Sequence, residues 1–179
     1  MTMRMGNLDV VAALSRPDLL ASSVASALAA MDDTDTIGVA PIDPELADTA
    51  AVCERYEVPL AQSANCVVIA GKRDGATRLA ACVVLATTRA DVNGIVRRQL
   101  DVRKASFLPV EVAVAATGME YGGITPIGLP AQWPIYVDAA VAASSQVIIG
   151  SGIRGSKLML PGETVGQLPG ATVVMGLGR

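Results

Sequence analysis

The residues with the clearest chemical potential form a glycine-rich segment, Gly122-Gly123-Ile124-Thr125-Pro126-Ile127-Gly128, which we call the glycine loop. This density of glycine and proline fits neither a helix nor a strand. Glycine lets the main chain approach a ligand closely and frees N–H groups to donate hydrogen bonds, while Pro126 restricts the conformation of the loop. The pattern therefore predicts either a binding loop for a small molecule or a tight turn between two core elements.

Polar residues near apolar runs are further candidates. Asn65 begins one such run, where its amide would either orient a substrate carbonyl or hydroxyl or make a structural hydrogen bond. Asp138 would either cap the helix that follows it or recognise the α-ammonium group of a substrate. Ser151-Gly152 would either add backbone donors beside the loop or only turn the chain.

Basic and aromatic residues suggest a surface for RNA. The net charge of −3 argues against a protein that coats nucleic acid, so any contact with phosphates has to come from a local basic face. The candidates for that face are Arg97, Arg98, Arg103, Lys104 and Lys157. The alternative is a solvated surface, which is the more common role of a basic cluster at the end of a helix.

Aromatic residues make up only 3% of the chain, so those near the loop stand out. Trp133 and Tyr136 follow the loop closely and would either stack on a nucleotide base or fill the core.

Several classes of chemistry are excluded by composition. The chain has no histidine, which rules out a histidine-dependent triad and an HExxH zinc site, and we expect neither a metal nor a cofactor. Cys53, Cys66 and Cys82 lack CxxC spacing and lie in apolar runs, so we expect buried free thiols and a reducing, cytoplasmic location. No uninterrupted apolar run is long enough for a membrane span.

The elements that position these residues follow from hydrophobic periodicity. Helices are predicted near 17–31, 45–56, 91–100 and 109–118, and strands near 36–41, 65–70, 79–86, 104–107 and 171–175. Lys72-Arg73-Asp74-Gly75 predicts a hairpin between two of these strands. The alternation predicts one α/β domain over 1–179, with a mixed sheet flanked by helices.

The glycine loop and its flanks resemble the GGxxPxG loop of the YbaK/prolyl-tRNA-editing family, the trans-acting aminoacyl-tRNA deacylases. Thr117-Gly118 before the loop, Tyr136-Val137-Asp138 after it, and the run from Ile148 to Leu158 are similar to the family's pattern. The resemblance covers about 45–175 and leaves 1–44 as an N-terminal helix and strand extension. It implies a partly barrel-like mixed sheet.

The resemblance also implies an activity, the hydrolysis of mischarged aminoacyl-tRNA, and residue roles. The implied catalytic residues are Gly122, Gly123, Thr125 and Asn65. The implied substrate-binding residues are Pro126, Gly128, Asp138, Ser151, Gly152, Trp133 and Tyr136. The implied partner is the acceptor end of tRNA, with an aminoacyl-tRNA synthetase as a further candidate; neither a membrane nor DNA is expected.

One feature of the family is missing. The family carries a lysine that is tied to deacylation where this chain has Ala64 or Asn65, and Lys72 lies about seven residues along the same strand, roughly 20 Å away. The sequence is therefore compatible with a deacylase that relies on backbone donors and on the substrate's own hydroxyl, with a binding module that has lost catalysis, or with hydrolysis of another small ester or amide.

Overall fold

The computed structural model describes residues 4–179, so residues 1–3 of the predicted N-terminal extension lie outside the described part. Two β-sheets with flanking helices form a mixed α/β domain, as predicted. The sheets do not close into a barrel, which corrects the partly barrel-like expectation. They approach each other where Ser63, just before a long strand of one sheet, bridges in parallel to Ile148 of the other.

The smaller sheet is antiparallel throughout. Its strands, in spatial order, are β1 (Val11–Ala12), β2 (Gly38–Pro41), β8 (Ser156–Leu160) and β7 (Val147–Gly150). Every residue of β7 and β8 is buried, because the two strands form the centre and one edge of a sheet that the core covers.

The larger sheet is mixed. Its strands, in spatial order, are β5 (Ala105–Phe107), β3 (Ala64–Arg73), β4 (Ala76–Leu85), β6 (Ile135–Asp138) and β9 (Ala171–Val174). The β3–β4 hairpin is confirmed, and Asp74 and Gly75 in its turn both have positive φ, as a tight two-residue hairpin turn requires. β4, β6 and β9 run parallel to one another.

The helices are short. They are α1 (Ser22–Ala29), α2 (Thr49–Tyr56), α3 (Arg97–Gln99, preceded by a π-helical turn at Val92–Val96), α4 (Val110–Thr117), α5 (Ala139–Ala142) and α6 (Gly162–Gly166). The predicted helix 17–31 is interrupted, because Leu20 and Ala21 are extended and the Ala21 N–H donates to the carbonyl of Ser151. Asp91 caps the π-helical turn, and Gly118 ends α4 with positive φ, both as predicted.

The core lies mainly between the two sheets. Val39 and Leu158 of the smaller sheet pack with Ala81, Val83 and Val137 of the larger one. The opposite face of the larger sheet is covered by the π-helical turn, whose Val92 and Val96 pack on Ile69 and Cys82. Within residues 4–179, no helix combines the length and the apolar composition needed to span a membrane.

Candidate functional site

The glycine loop is held against two other segments by close backbone approaches. A side chain on Gly123 would lie 2.5 Å from the carbonyl oxygen of Ile153, and one on Gly128 would lie 2.6 Å from that of Ser23. Gly122 and Gly128 both have φ of +82°, which only glycine adopts readily. The glycines are therefore needed for the packing of the loop itself.

Hydrogen bonds connect the loop to the turn between β7 and β8. Gly152 N–H donates to the carbonyl of Gly123 at 2.7 Å, and Glu120 N–H donates to that of Gly152 at 2.9 Å. The N–H of Gly123 is also occupied, since it donates to Glu120. Of the loop residues that line the cavity described next, Gly122 and Ile124 have N–H groups that donate to no acceptor within the described part of the chain, so both are available as backbone donors.

A cavity of about 400 Å³ lies beside the loop. β3 contributes Ala64, Asn65, Cys66, Val67 and Val68 to its wall, the loop contributes Gly122 and Ile124, and β7 and β8 contribute Gly150 and Lys157. The start of the long strand, the loop and the smaller sheet thus meet at one site. The glycine loop and Asn65, both candidates from the sequence, therefore line the same cavity.

Asn65 is oriented by a neighbouring hydroxyl. Thr49 Oγ1, in the first turn of α2, donates a 2.7 Å hydrogen bond to Asn65 Oδ1. This bond occupies the acceptor side of the amide and leaves its Nδ2 as a donor next to the cavity. Asn65 therefore makes a structural hydrogen bond, which was one of the two alternatives. Its Nδ2 is still available to orient a substrate carbonyl or hydroxyl, which was the other.

Lys157 is the residue whose position the sequence reasoning missed. It is only 7% exposed, and its Nζ donates to the carbonyls of Ala47 at 3.2 Å and Gly122 at 3.1 Å. Burial lowers the pKa of its ammonium group, and Arg154 lowers it further, whereas the nearby Asp48 and Cys53 oppose the shift. Lys157 belongs to the cavity wall and not to an exposed basic face, which corrects its assignment as an RNA contact. Its place inside the apolar run of β8 was the available signal.

The rim of the cavity combines charged and aromatic groups. Tyr121 and Phe107 are 61% and 58% exposed, and both line the cavity. The guanidinium group of Arg154 lies 5.7 Å from the centre of the Tyr121 ring and donates to the carbonyls of Tyr121 and Pro44. Glu45 and Asp48 add carboxylates on the side of α2.

Trp133 packs behind the cavity wall, against Val68, whereas Tyr136 lies on the face of the larger sheet that the π-helical turn covers. Both are nearly buried, and they line a second cavity of about 550 Å³ together with Arg78 and Leu100. Within the described residues they are not part of the wall of the first cavity. Their proposed contact with substrate is therefore not supported, and the alternative that they fill the core agrees with their burial.

Three other candidates have structural positions. Thr125 is completely buried, its hydroxyl has no hydrogen-bond partner among residues 4–179, and it is not part of the cavity wall there. Asp138 is buried at the start of α5 and makes no side-chain capping bond, which contradicts the capping alternative; it lies near Gly178 and, among residues 4–179, is not part of the cavity wall. Pro126 is buried with the loop.

The turn at Ser151-Gly152 supports the loop. Ser151 Oγ lies 2.7 Å from Ser156 Oγ, and Gly152 has φ of +89°. Its N–H donates to Gly123, so it is not free for a ligand. This agrees with the turn alternative.

The remaining basic residues lie on a different face. Arg98, Arg103 and Lys104 are exposed and Arg97 is half-buried. Arg97 and Arg98 belong to α3, next to the π-helical turn that covers the face of the larger sheet opposite to the core between the sheets. The structure therefore does not bring this cluster into the wall of the cavity within the described residues.

Comparison with known structures places this architecture among similar folds. A proposed trans-editing enzyme for prolyl tRNA synthetase matches with a TM-score of 0.73 and 19% identity over 89% of this chain and 96% of that one. A scaffold from computational epitope backbone grafting matches with a TM-score of 0.74, 19% identity, and coverage of 89% and 97%. A hypothetical protein matches with a TM-score of 0.68, 18% identity, and coverage of 79% and 90%.

No curated protein matches the sequence. However, residues 43–166 match the sequence model of a protein family, the aminoacyl-tRNA editing domain. These residues include α2, β3, the glycine loop, β7 and β8. The match therefore covers most of the chain and every segment that forms the cavity, and on this basis the chain belongs to the aminoacyl-tRNA editing domain family.

Proposed function

We propose that this protein is an aminoacyl-tRNA deacylase that clears mischarged tRNA in trans. The observation that carries the proposal is the convergence of the glycine loop and Asn65 on one cavity of about 400 Å³ in a chain of the editing-domain family. A cavity of this size accommodates an amino acid ester and the sugar to which it is attached.

The proposed reaction is attack of water on the ester carbonyl, followed by release of the ribose oxygen. The negative charge that develops on the carbonyl oxygen needs hydrogen-bond donors, and the candidates are the N–H groups of Gly122 and Ile124 and the Nδ2 of Asn65. Loss of one such donor typically costs about 2.7–4 kcal/mol of transition-state stabilisation. A side-chain nucleophile is not required by this scheme.

Proton transfer is assigned to the substrate. The neighbouring hydroxyl of the terminal ribose or the α-amine can accept the proton from water and return it to the leaving oxygen. This route suits a chain without histidine.

The acceptor end of tRNA is the proposed partner. The exposed rings of Tyr121 and Phe107 on the rim of the cavity take the stacking role first considered for Trp133 and Tyr136. Arg154 beside Tyr121 adds a positive charge at the same place. An aminoacyl-tRNA synthetase remains a candidate for a second partner.

The test is a deacylation screen of purified protein against tRNAs mischarged with proline, alanine or cysteine. We expect turnover of at least one substrate, and Asn65→Ala should lower it by up to about a hundredfold, or roughly 2.7 kcal/mol. Asn93→Ala is the matched control, because Asn93 is exposed on the π-helical turn. A wild-type protein that hydrolyses none of these esters above the no-protein rate would contradict the proposal.

The main alternative is a binding module that recognises an aminoacyl ester, an amino acid or a nucleotide without hydrolysing it. The observation that favours it is the lack of a lysine at Ala64 and Asn65, the two positions at which the resemblance would place the family's lysine. A wild type that binds a non-hydrolysable aminoacyl-adenosine amide but shows no turnover would select this alternative.

A further inference from the structure

We propose that Lys157 is the charged hydrogen-bond donor to the carbonyl oxygen of the bound ester. This inference rests on the proposed deacylase function and extends it to a residue on β8. Among the three lysines of the chain, Lys72 and Lys104 are exposed, whereas Lys157 is 7% exposed and forms part of the cavity wall.

The pairing of β8 with β7 determines where the side chain of Lys157 lies. Lys157 pairs with Gly150 of β7, and Gly150 also lines the cavity. The glycine has no side chain that would cover its neighbour, and a side chain there would collide with the carbonyls of Gly123 and Ile124. The strand pairing therefore places the lysine beside the glycine loop.

The ammonium group of Lys157 does not use all of its hydrogen-bond donors within the described residues. Two of its three N–H groups donate to the carbonyls of Ala47 and Gly122, both of which belong to residues that line the cavity. Among the described residues, the third N–H has no acceptor. A buried ammonium group with an unused donor is costly, and the oxygen of a bound ester would satisfy it.

The charged groups around Lys157 are Asp48 before α2, Arg154 in the turn between β7 and β8, and Glu45 on the rim; the titratable thiol of Cys53 also faces it. Burial lowers the pKa of Lys157, and Arg154 acts in the same direction, while Asp48 and Cys53 act against them. The charged form is therefore lost at a lower pH than for an ordinary lysine.

In the reaction, water forms a bond to the carbonyl carbon and the carbonyl electron pair moves to the oxygen that Lys157 contacts. The bond to the ribose oxygen then breaks, and that oxygen leaves with the proton taken from water through the substrate's own hydroxyl or amine. Lys157 keeps all its protons throughout. Its contribution is stabilisation of the oxyanion, which strengthens in the transition state.

The test compares Lys157→Met with Lys157→Arg, with Lys72→Met as the matched control for removal of an exposed lysine. On the best substrate of the wild type, Lys157→Met should lower kcat by about 10²–10³-fold with little change in KM, which is the pattern for a lost transition-state interaction. Lys72→Met should match the wild type. Far-UV circular dichroism and thermal melting establish that each variant is folded.

The pH profile separates a charged donor from a merely structural lysine. The rate of spontaneous ester hydrolysis is subtracted first. The deacylation rate of the wild type should then fall as the pH rises through the lowered pKa of Lys157. The deacylation rate of Lys157→Arg should stay constant over the same pH range, because arginine remains protonated. If Lys157→Met does not fold, the kcat of Lys157→Gln is measured in its place, together with the pH profile of the wild type.

A folded Lys157→Met variant with the kcat of the wild type would overturn the inference while leaving the deacylase proposal intact. A wild-type rate that rises in parallel with the spontaneous rate at alkaline pH would also overturn it. A wild type without turnover would contradict the deacylase proposal itself. The proposed role of Lys157 would then be contradicted as well, because it depends on that activity.

Discussion

Gly122 and Gly123 are adjacent but a side chain would meet different surroundings at each. At Gly123 it would collide with the backbone of Ile153, which cannot move aside cheaply, whereas at Gly122 it would meet the flexible end of Arg154 at 3.0 Å. A side chain at Gly122, which lines the cavity, would therefore occupy space that a ligand could use, whereas one at Gly123 would act on the packing of the loop.

Gly123→Ala should accordingly act through stability. We expect a loss of about 1–3 kcal/mol in the free energy of unfolding, because the loop has to separate from the turn between β7 and β8. Urea denaturation measures this, and Gly155→Ala is the control, since a side chain at Gly155 meets nothing within 4 Å. Unchanged stability of Gly123→Ala would show that the loop does not depend on this contact.

The cysteine residues should be chemically silent in the native protein. Burial raises the pKa of Cys82 to about 12, and burial together with Cys82 raises that of Cys66. At pH 8 only roughly one ten-thousandth of Cys82 is then thiolate, which is the reactive form. Titration with a thiol reagent should show slow reaction in buffer and fast reaction in denaturant. Equally fast reaction of Cys66 and Cys82 in both conditions would contradict the raised pKa values of their thiols.

At the scale of elements, α2 contributes to the site through its first turn. Asp48 accepts a hydrogen bond from the N–H of Ala50 as the N-cap, and Thr49 next to it holds Asn65. The cap thus sets the start of the helix at the position from which the threonine hydroxyl reaches β3.

Thr49→Val should test this connection. Loss of one such hydrogen bond typically costs about 1 kcal/mol, so we expect roughly a fivefold decrease in deacylation rate from a less ordered Asn65 amide. Thr172→Val, at an exposed position of β9, is the matched control. If Thr49→Val and Thr172→Val retain the same rate, Asn65 does not need this orientation.

The sequence predicted the elements that depend on local signals. The β3–β4 hairpin, the cap at Asp91 and the end of α4 at Gly118 all follow from residues within one or two turns of the chain. The interruption before α1 was not predictable in this way, because it depends on a hydrogen bond from Ala21 to Ser151, far along the sequence.

The candidate site likewise combines residues that local sequence signals predicted with residues that only the tertiary structure brings there. The loop and Asn65 were recognisable by type and position, but Lys157 reaches the cavity only through the pairing of β8 with β7 and β2. Trp133 and Tyr136 follow the loop in sequence, yet β6 carries Tyr136 to the face covered by the π-helical turn. Proximity along the chain was thus a poor guide to proximity in space.

The proposed function requires a surface for tRNA, and the molecule has two candidate faces for it. The aromatic rim with Tyr121 and Phe107 surrounds the cavity, whereas Arg97 and Arg98 lie with the segment that covers the other face of the larger sheet. The two regions would contribute to binding by different physical mechanisms, stacking and phosphate neutralisation, and salt distinguishes them.

We predict that Tyr121→Ala and Phe107→Ala each weaken binding of the acceptor end by about 1–3 kcal/mol, with nearly the same loss at low and high salt, because base stacking is not screened. Reversal of Arg97 and Arg98 to glutamate should weaken binding more at low salt than at high salt, since phosphate contacts release counterions.

Both series are measured by fluorescence anisotropy with labelled tRNA between low and physiological ionic strength. Val173→Ala, an exposed apolar residue on β9 away from the cavity, is the control for the aromatic variants. Arginine variants with the affinity of the wild type at every salt concentration would remove that face from the RNA surface. Aromatic variants with unchanged affinity would instead remove the rim, and the acceptor end would then have to reach the cavity by contacts with its walls alone.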